Sequence, residues 1–458
     1  MDRTNLIRVC GLFLLVNIFL HILPRNFTES DDVHRISAEI YAQGRMYMQE
    51  EEADRVSPFE KLTSLTRDIR GRYVFTRSPG YGIWLAVLGK IGLSAFSASI
   101  LSLALLTLIL SHASTFTIES AESRDGDTLL IFAVLFLTAP TAMILSHKIY
   151  MDDYSSAMLL SAGLIIYLLS ENREGLTLPF WSGLLVGIST TFRNTGVFAL
   201  SVILLWEGIR FFGCRKVSIM RVAVFLTAFC IAVIPLLLYY QHMFGSPCVT
   251  GYNQRVLINT GSNSPLIGWG RGFFDLSLIW RNFHEVLPVI LLGFPLLMLV
   301  PLGACDLSLK KPGPREFFFC WFLVYFIFFL SYSIVPPQQA MVGRKFLPLL
   351  VPASFLAAFG LSLLHWKKRL GVVVGVVLFS MAVFSDYSFT YITGCNDKAQ
   401  AVELEKQKQR FQNFLFGMET IRLLEAGCED IDRNGEVDAG ERRMAEIYRE
   451  HLKATTKN

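Results

Sequence analysis

Residues 219–240 read IMRVAVFLTAFCIAVIPLLLYY, with Arg221 the one charge in the run. A helix of about 20 apolar residues crosses the roughly 30 Å hydrocarbon core of a bilayer. Runs of this kind recur along the chain, so its solvent is largely lipid. In lipid every backbone N–H and C=O must be bonded internally, which only helices and closed barrels achieve. The runs are continuous rather than alternating, and that excludes a barrel. The expected fold class is all-α, a polytopic membrane protein of about eleven transmembrane helices. Composition agrees: 52% of the 458 residues are hydrophobic and 17% charged, with mean hydropathy +0.44. A water-soluble chain carries more charge. The net charge of +4 gives no reason to expect a nucleic-acid partner.

The expected spans are Leu6–Leu23, Ala95–Phe116, and about 128–146, 154–170, 179–192, 196–213, 219–240, 284–303, 316–335, 346–364 and 370–386. Arg193 and Asn194 interrupt the stretch 179–213, which then reads as two short helices meeting at the outer face. Between the first two spans lies a polar stretch, Pro24 to about Arg77. It carries a surface helix expected over Val33–Met48 and a second in SPGYGIWLAVLGKIG. Arg3 and Arg8 flank the first span and no small-residue cleavage site follows it. The chain therefore reads as anchored there, with a cytoplasmic N-terminus in the plasma or inner membrane.

This topology turns the basic loops RFFGCRK (210–216), KKPGPRE (310–316) and HWKKR (365–369) to the cytoplasm, as the positive-inside rule requires. The loop ESAESRDGD (119–127) is acidic, and acids count little in that rule. Two units result: 1–386, a transmembrane domain with its first outer loop at 24–80, and 387–458, a helical extracytoplasmic tail.

Two Asp-Asp pairs, in SDDVHRI (30–36) and MDDY (151–154), fall on the outer side. Acids in a helix's first turn favour the helix dipole, and helix capping accounts for both pairs without further function. The alternative is that both line one cavity. A partly desolvated carboxylate there is a stronger base and can deprotonate a hydroxyl acceptor. A second acidic group can hold a divalent cation. Arg77, Lys148, Arg193, Arg344 and Lys345 fall on the same side and suit an anion. Each taken alone is equally a snorkelling interfacial cation.

Four segments in this order resemble the GT-C superfamily of integral-membrane glycosyltransferases, which use polyprenyl-phosphate-linked sugars. The pattern is nearest the protein-mannosyltransferase and aminoarabinose-transferase branch. They are SDDVHRISAEIYAQGRMY after a lone span; TRSPGYGIWLAVLGKIG; MDDYSSAMLLSAGLIIYL with WSGLLVGISTTFRNTGVFAL; and FGSPCVTGY (244–252) with GRKFLPLLVPASFLAAFGL (343–361). The resemblance implies an inverting, single-step sugar transfer, with Asp31 or Asp32 as general base. It implies that Asp152 and Asp153 meet metal or donor phosphate, and that Arg344, then Arg77 and Arg193, neutralise the departing lipid phosphate. Lys345 stands where many members of the superfamily have Tyr. The chain has no glycine-rich phosphate loop, which favours a lipid-linked donor over a nucleotide-linked one. The rival class is a transporter or flippase of lipid-linked sugars, which calls for midplane charges and matched halves. A calcium-dependent membrane scaffold is a third reading.

The tail carries a separate signal. DIDRNGEVDAGE (430–441) matches the twelve-position calcium loop of an EF-hand. Asp430, Asp432 and Asn434 supply side-chain oxygens, Glu436 its carbonyl, Asp438 a direct or water-bridged oxygen and Glu441 a bidentate carboxylate, around a turn at Gly435. Calcium is the expected cofactor there, in a structural role. Cys10, Cys230 and Cys320 fall within spans and read as small buried apolar residues. Cys395 and Cys428 are a candidate bridge across the tail.

Overall fold

A computed structural model describes residues 29–53, 65–93, 127–147, 152–172, 175–213, 218–251, 278–285, 294–305, 312–331 and 344–388, with 276, 287, 290, 291 and 307. The expected spans Leu6–Leu23 and Ala95–Phe116 lie outside these residues. So does the chain's second unit, Phe389–Asn458, with its calcium loop and cysteines.

The loop expected on the outer side forms a small layer, here called the outer layer: α1 (Glu29–Ala42), α2 (Glu50–Ala53), β1 (Leu65–Arg67), β2 (Tyr73–Phe75) and α3 (Gly80–Lys90). The first surface helix ends at Ala42 rather than Met48, because Gly44 takes φ 76° and reverses the chain. A short antiparallel hairpin, in register Leu65↔Phe75, is added to an otherwise helical set of described elements. Its strands are three residues long, too short to show alternation in sequence. Asp68 builds its turn, accepting the backbone N–H groups of Arg70 and Arg72 at 2.8 Å each. Ile40, Tyr41, Met48, Leu65, Phe75 and Ala86 close a core between α1, the hairpin and α3.

The bundle beneath begins with α4 (Asp127–Leu137) and α5 (Pro140–His147). A single span was expected over 128–146. Pro140 has no N–H to donate and biases Ala139 away from the helical region, so the run breaks there. Next come α6 (Asp152–Leu169) and α7 (Thr177–Phe192). The chain turns extended at Arg193, passes through a 3-10 turn (Asn194–Phe198), and resumes as α8 (Ala199–Phe212), so the interruption falls where the sequence indicates. α9 (Ile219–Phe244) is capped by Ser218 and stopped by Gly245 at φ 74°. Among the described residues, Asn194–Phe212 and Ile219–Phe244 are the two helices long and apolar enough to cross a membrane.

The expected span 284–303 is likewise not one helix. α10 (Leu278–Glu285) covers its start, and further on Phe294 leaves helical geometry ahead of Pro295, where a 3-10 turn (Pro295–Leu299) leads into α11 (Val300–Ala304). α12 (Pro314–Leu330), a 3-10 turn (Arg344–Leu349), α13 (Leu350–Ser362) and α14 (Trp366–Ser388) complete the order.

α7 packs between α6 and α9. Small residues make this possible: a Cβ on Gly183 would collide with the Phe225 carbonyl, and one on Gly187 would lie 2.5 Å from the Ala232 Cβ. Ser182 Oγ donates to the Gly163 carbonyl at 2.7 Å and Ser189 Oγ to the Ser156 carbonyl at 2.9 Å, stitching α7 to α6. Gly183→Val is expected to cost about 1–3 kcal/mol of stability by overpacking this crossing. Gly371→Val, where a Cβ meets open space, is the control in the same thermal unfolding series.

The other half centres on α13, flanked by α4, α11 and α12. There Phe355 stacks between Phe132 (4.0 Å) and Phe318 (4.1 Å). Outward faces are apolar too. Ile231, Ile234 and Leu238 of α9 and Leu370, Val374, Leu378 and Phe379 of α14 are exposed, which suits lipid and not water. Cys320 is buried as expected, whereas Cys230 lies on the exposed face of α9.

Candidate functional site

The outer layer seats on the ends of α6, α7 and α9 through specific contacts. Gly80 lets the start of α3 touch Thr191, since a Cβ there would lie 2.5 Å from the Thr191 carbonyl oxygen. The Tyr81 ring fills the space between His34 (5.2 Å, edge-on) and Phe192 (5.5 Å). The hairpin turn is tied to α9 by Ile69 N–H, which donates to the Met243 carbonyl at 2.9 Å. Gly251, in the segment FGSPCVTGY, lies against the Thr76 backbone beside Arg77.

These contacts gather charge at one place. His34 of α1, 2% exposed, sets its Nε2 between Arg77 Nη1 at 2.8 Å and Asp152 Oδ1 at 3.6 Å. Asp152 and Asp153 open α6 ahead of its apolar stretch, and both are buried. Arg193, at the break after α7, pairs closely with Asp153 and reaches Asp152 at 4.0 Å. Two guanidiniums and two carboxylates, with a histidine between, therefore converge from four segments distant in sequence. Burial alone would raise the Asp152 carboxyl pKa. The hydrogen bond and charge of His34, with the charges of Arg193 and Arg77, outweigh it and hold that carboxyl below the usual range. The start of α6 thus keeps Asp152 ionised beside Arg77 and Arg193.

Of the residues expected to form the site, Arg77, Arg193, Asp152 and Asp153 come together. Asp31 and Asp32 lie in the first turns of α1, one turn ahead of His34. Arg344 and Lys345 open the 3-10 turn that packs on α5 and α6, so that segment reaches the same helix as the acidic pair. Lys148 and the calcium loop (Asp430, Asp432, Asn434, Glu436, Asp438, Glu441) lie outside the described residues. Among the described residues no three His, Cys, Asp or Glu side chains are gathered as a metal site.

No protein-family model matches the chain, and no curated protein sequence does either. Solved structures do. ArnT from Cupriavidus metallidurans bound to undecaprenyl phosphate superposes with TM-score 0.55 at 14% identity, over 82% of this chain and 64% of ArnT. Apo ArnT gives 0.54 at 15% identity, over 80% and 61%. The archaeal oligosaccharyltransferase AglB from Archaeoglobus fulgidus, in complex with an inhibitory peptide and a dolichol-phosphate, gives 0.51 at 14% identity, over 83% and 55%. The chain shares their fold. It spans less than two thirds of the length of either protein. With the outward apolar faces of α9 and α14, this fold makes the chain an integral membrane protein.

Sequence reasoning passed over His34, Ser78, Asn194 and Tyr240. Ser78 Oγ donates to Asn194 Oδ1 at 2.7 Å, as does Tyr240 Oη at 3.0 Å, and Ser78 and Asn194 each follow one of the two arginines in the chain. The one available signal was a polar Asn beside Arg193 inside an apolar run. Also unforeseen is a buried ionic cluster joining the opposite end of α6 to α8 and α9. There Glu171 and Glu207 face Arg210 and Arg221, with Tyr167 Oη donating to Glu207 at 2.7 Å.

Proposed function

We propose that the chain transfers a sugar from a polyprenyl-phosphate donor to an acceptor outside the cytoplasm, by an inverting displacement at this site. The observation that carries the reading is the meeting of Arg77 and Arg193 with the acidic pair beneath α1. It occurs on a fold shared with an ArnT bound to undecaprenyl phosphate and an AglB in complex with a dolichol-phosphate. In the step, a carboxylate takes the proton of the acceptor hydroxyl as that oxygen attacks the sugar's anomeric carbon. The bond from that carbon to the phosphate oxygen breaks, and its electrons leave with the polyprenyl phosphate. Arg77 and Arg193 offset the charge growing on the phosphate, with Arg344 a third candidate.

The geometry of α1 favours Asp31 as that base. At 100° per residue, position 31 lies about 60° around the helix from His34, whereas position 32 lies about 160° away. Position 32 instead lies within about 20° of Glu39, which is exposed and paired with Arg35 at 2.8 Å. Asp152 and Asp153, engaged with guanidiniums, hold Arg193, and Asp152 also partners His34. The test is release of polyprenyl phosphate when the purified chain is given polyprenyl-phosphate sugars and membrane extract as acceptor source. A flippase would move the donor between leaflets and leave it intact, and intact donor contradicts the proposal.

The tail loop 430–441 is proposed to bind calcium on the order of 10⁻⁴–10⁻³ M, the range of extracellular modules. Equilibrium dialysis of the full chain with radioactive calcium is expected to show this site, and Glu441→Gln to remove it.

A further inference from the structure

We infer that Ser78, Asn194 and Tyr240 form a positioning node that sets the spacing between Arg77 and Arg193, so that both guanidiniums can reach one phosphate. The inference rests on the reading of this site as a lipid-phosphate site. Ser78 is the residue after Arg77, and Asn194 is the residue after Arg193. Their side chains meet directly: Ser78 Oγ to Asn194 Oδ1 is 2.7 Å. Tyr240, near the end of α9, closes the triangle at 3.0 Å from Asn194 Oδ1 and 3.1 Å from Ser78 Oγ. Ser78 and Tyr240 are 9% and 3% exposed, so water does not replace these bonds readily.

The arginine side chains are joined through His34 and Asp152, and the node adds a link between the backbones that carry them. Arg77 belongs to the outer layer, between β2 and α3, while Arg193 sits where α7 has already ended and α8 has not begun. Neither stands on a regular element. The Gly80–Thr191 approach brings the two backbones close but has no directional bond. The node supplies direction, and α9 gives it a rigid base: the Tyr240 ring packs with Val74, Leu236, Met243 and Phe244. Recognition of one phosphate by two arginines is sensitive to such placement, because each fork of donors must meet oxygens at about 2.7–2.9 Å. A shift of either backbone strands one of the two.

The test is equilibrium binding of undecaprenyl phosphate and of undecaprenol, its phosphate-free alcohol, to the purified full chain in detergent. Ser78→Ala and Tyr240→Phe are each expected to weaken binding of the phosphate roughly threefold to tenfold, the worth of one hydrogen bond. Binding of the alcohol stays unchanged. Ser78→Thr, which keeps the hydroxyl, restores the phosphate affinity, and Ser78→Ala adds no further loss once Arg77 is Ala. A merely structural role lowers both affinities together, and that result, or no change in either, overturns the inference while leaving the lipid-phosphate site standing. Failure of the unaltered chain to prefer the phosphate over the alcohol, or indifference to Arg77→Ala and Arg193→Ala, overturns the reading of the site itself and the node with it.

Discussion

Asp31→Asn is expected to lower the proposed sugar transfer by the purified chain about 100-fold to 10,000-fold, the contribution of a positioned general base, and Asp32→Asn to retain most of the activity. The asymmetry follows from α1. The helix is pinned by its buried side: His34 against Asp152, Ser37 and Tyr41 against Gly82 of α3, and Ile40 in the core of the outer layer. Those residues fix which way each position of the helix faces. Three residues ahead of His34 is one helical turn less about 60°, and two residues ahead is nearly the opposite side. That side is marked by the exposed Glu39, about 140° around the helix from His34 and about 20° from position 32. Undercapping does not explain such a result, because loss of a helix cap costs roughly 1 kcal/mol and would show in unfolding for either aspartate. Equal losses in the two variants, with equal abundance in the membrane, count against Asp31 as the base.

Glu207→Ala destabilises the folded chain by about 3–5 kcal/mol, the cost of leaving a buried charge without its partner. Glu207, Arg210 and Arg221 are each under one tenth exposed. Glu207 Oε1 accepts from Tyr167 Oη at 2.7 Å and from Arg221 Nη2 at 2.5 Å, and Arg210 Nη1 stands 3.2 Å from Oε2. Glu171 lies 3.6 Å from Arg210 and 3.9 Å from Arg221, and accepts from Trp206 Nε1. Two carboxylates balance two guanidiniums, and removing one leaves an excess positive charge among α6, α8 and α9. Tyr167→Phe, which deletes one hydrogen bond and no charge, costs about 1 kcal/mol. Unfolding of the purified variants in detergent measures both. The cluster stands at the far end of α6, about 27 Å from Asp152, so lipid-phosphate affinity of the folded Glu207→Ala chain is expected to stay near that of the unaltered protein. A Glu207→Ala loss below that of Tyr167→Phe would mean the cluster is solvated and not a buried lock.

Much of this architecture was legible because lipid imposes a simple rule: long apolar runs become helices. α6, α7, α8, α9 and α12 fall close to where hydropathy places them, and the break at Arg193 shows because two polar residues interrupt an apolar run. Boundaries set by backbone chemistry were less visible. Pro140 and Pro295 sit in stretches oily enough to pass as continuous spans, yet each breaks its run. The hairpin at 65–75 depends on an Asp68 turn whose partners are backbone groups.

The site divides in the same way. Arg77, Arg193, Asp152 and Asp153 announce themselves as charges at the ends of apolar runs. His34 does not, since a lone histidine in a polar loop has no periodicity to betray it. Its importance comes from Gly80 and Gly82, which let α3 approach closely enough to bury it. Ser78, Asn194 and Tyr240 are 116 and 46 residues apart along the chain, and only the packed bundle brings both hydroxyls onto the one Asn194 Oδ1.

Lipid extracts from cells lacking the chain, analysed by mass spectrometry together with their envelope glycans, test the central claim most directly. The account predicts accumulation of one polyprenyl-monophosphate sugar and loss of that sugar from a surface acceptor, both reversed by the unaltered chain and neither by Asp31→Asn. Unchanged lipid and glycan pools, or full restoration by Asp31→Asn, would contradict it.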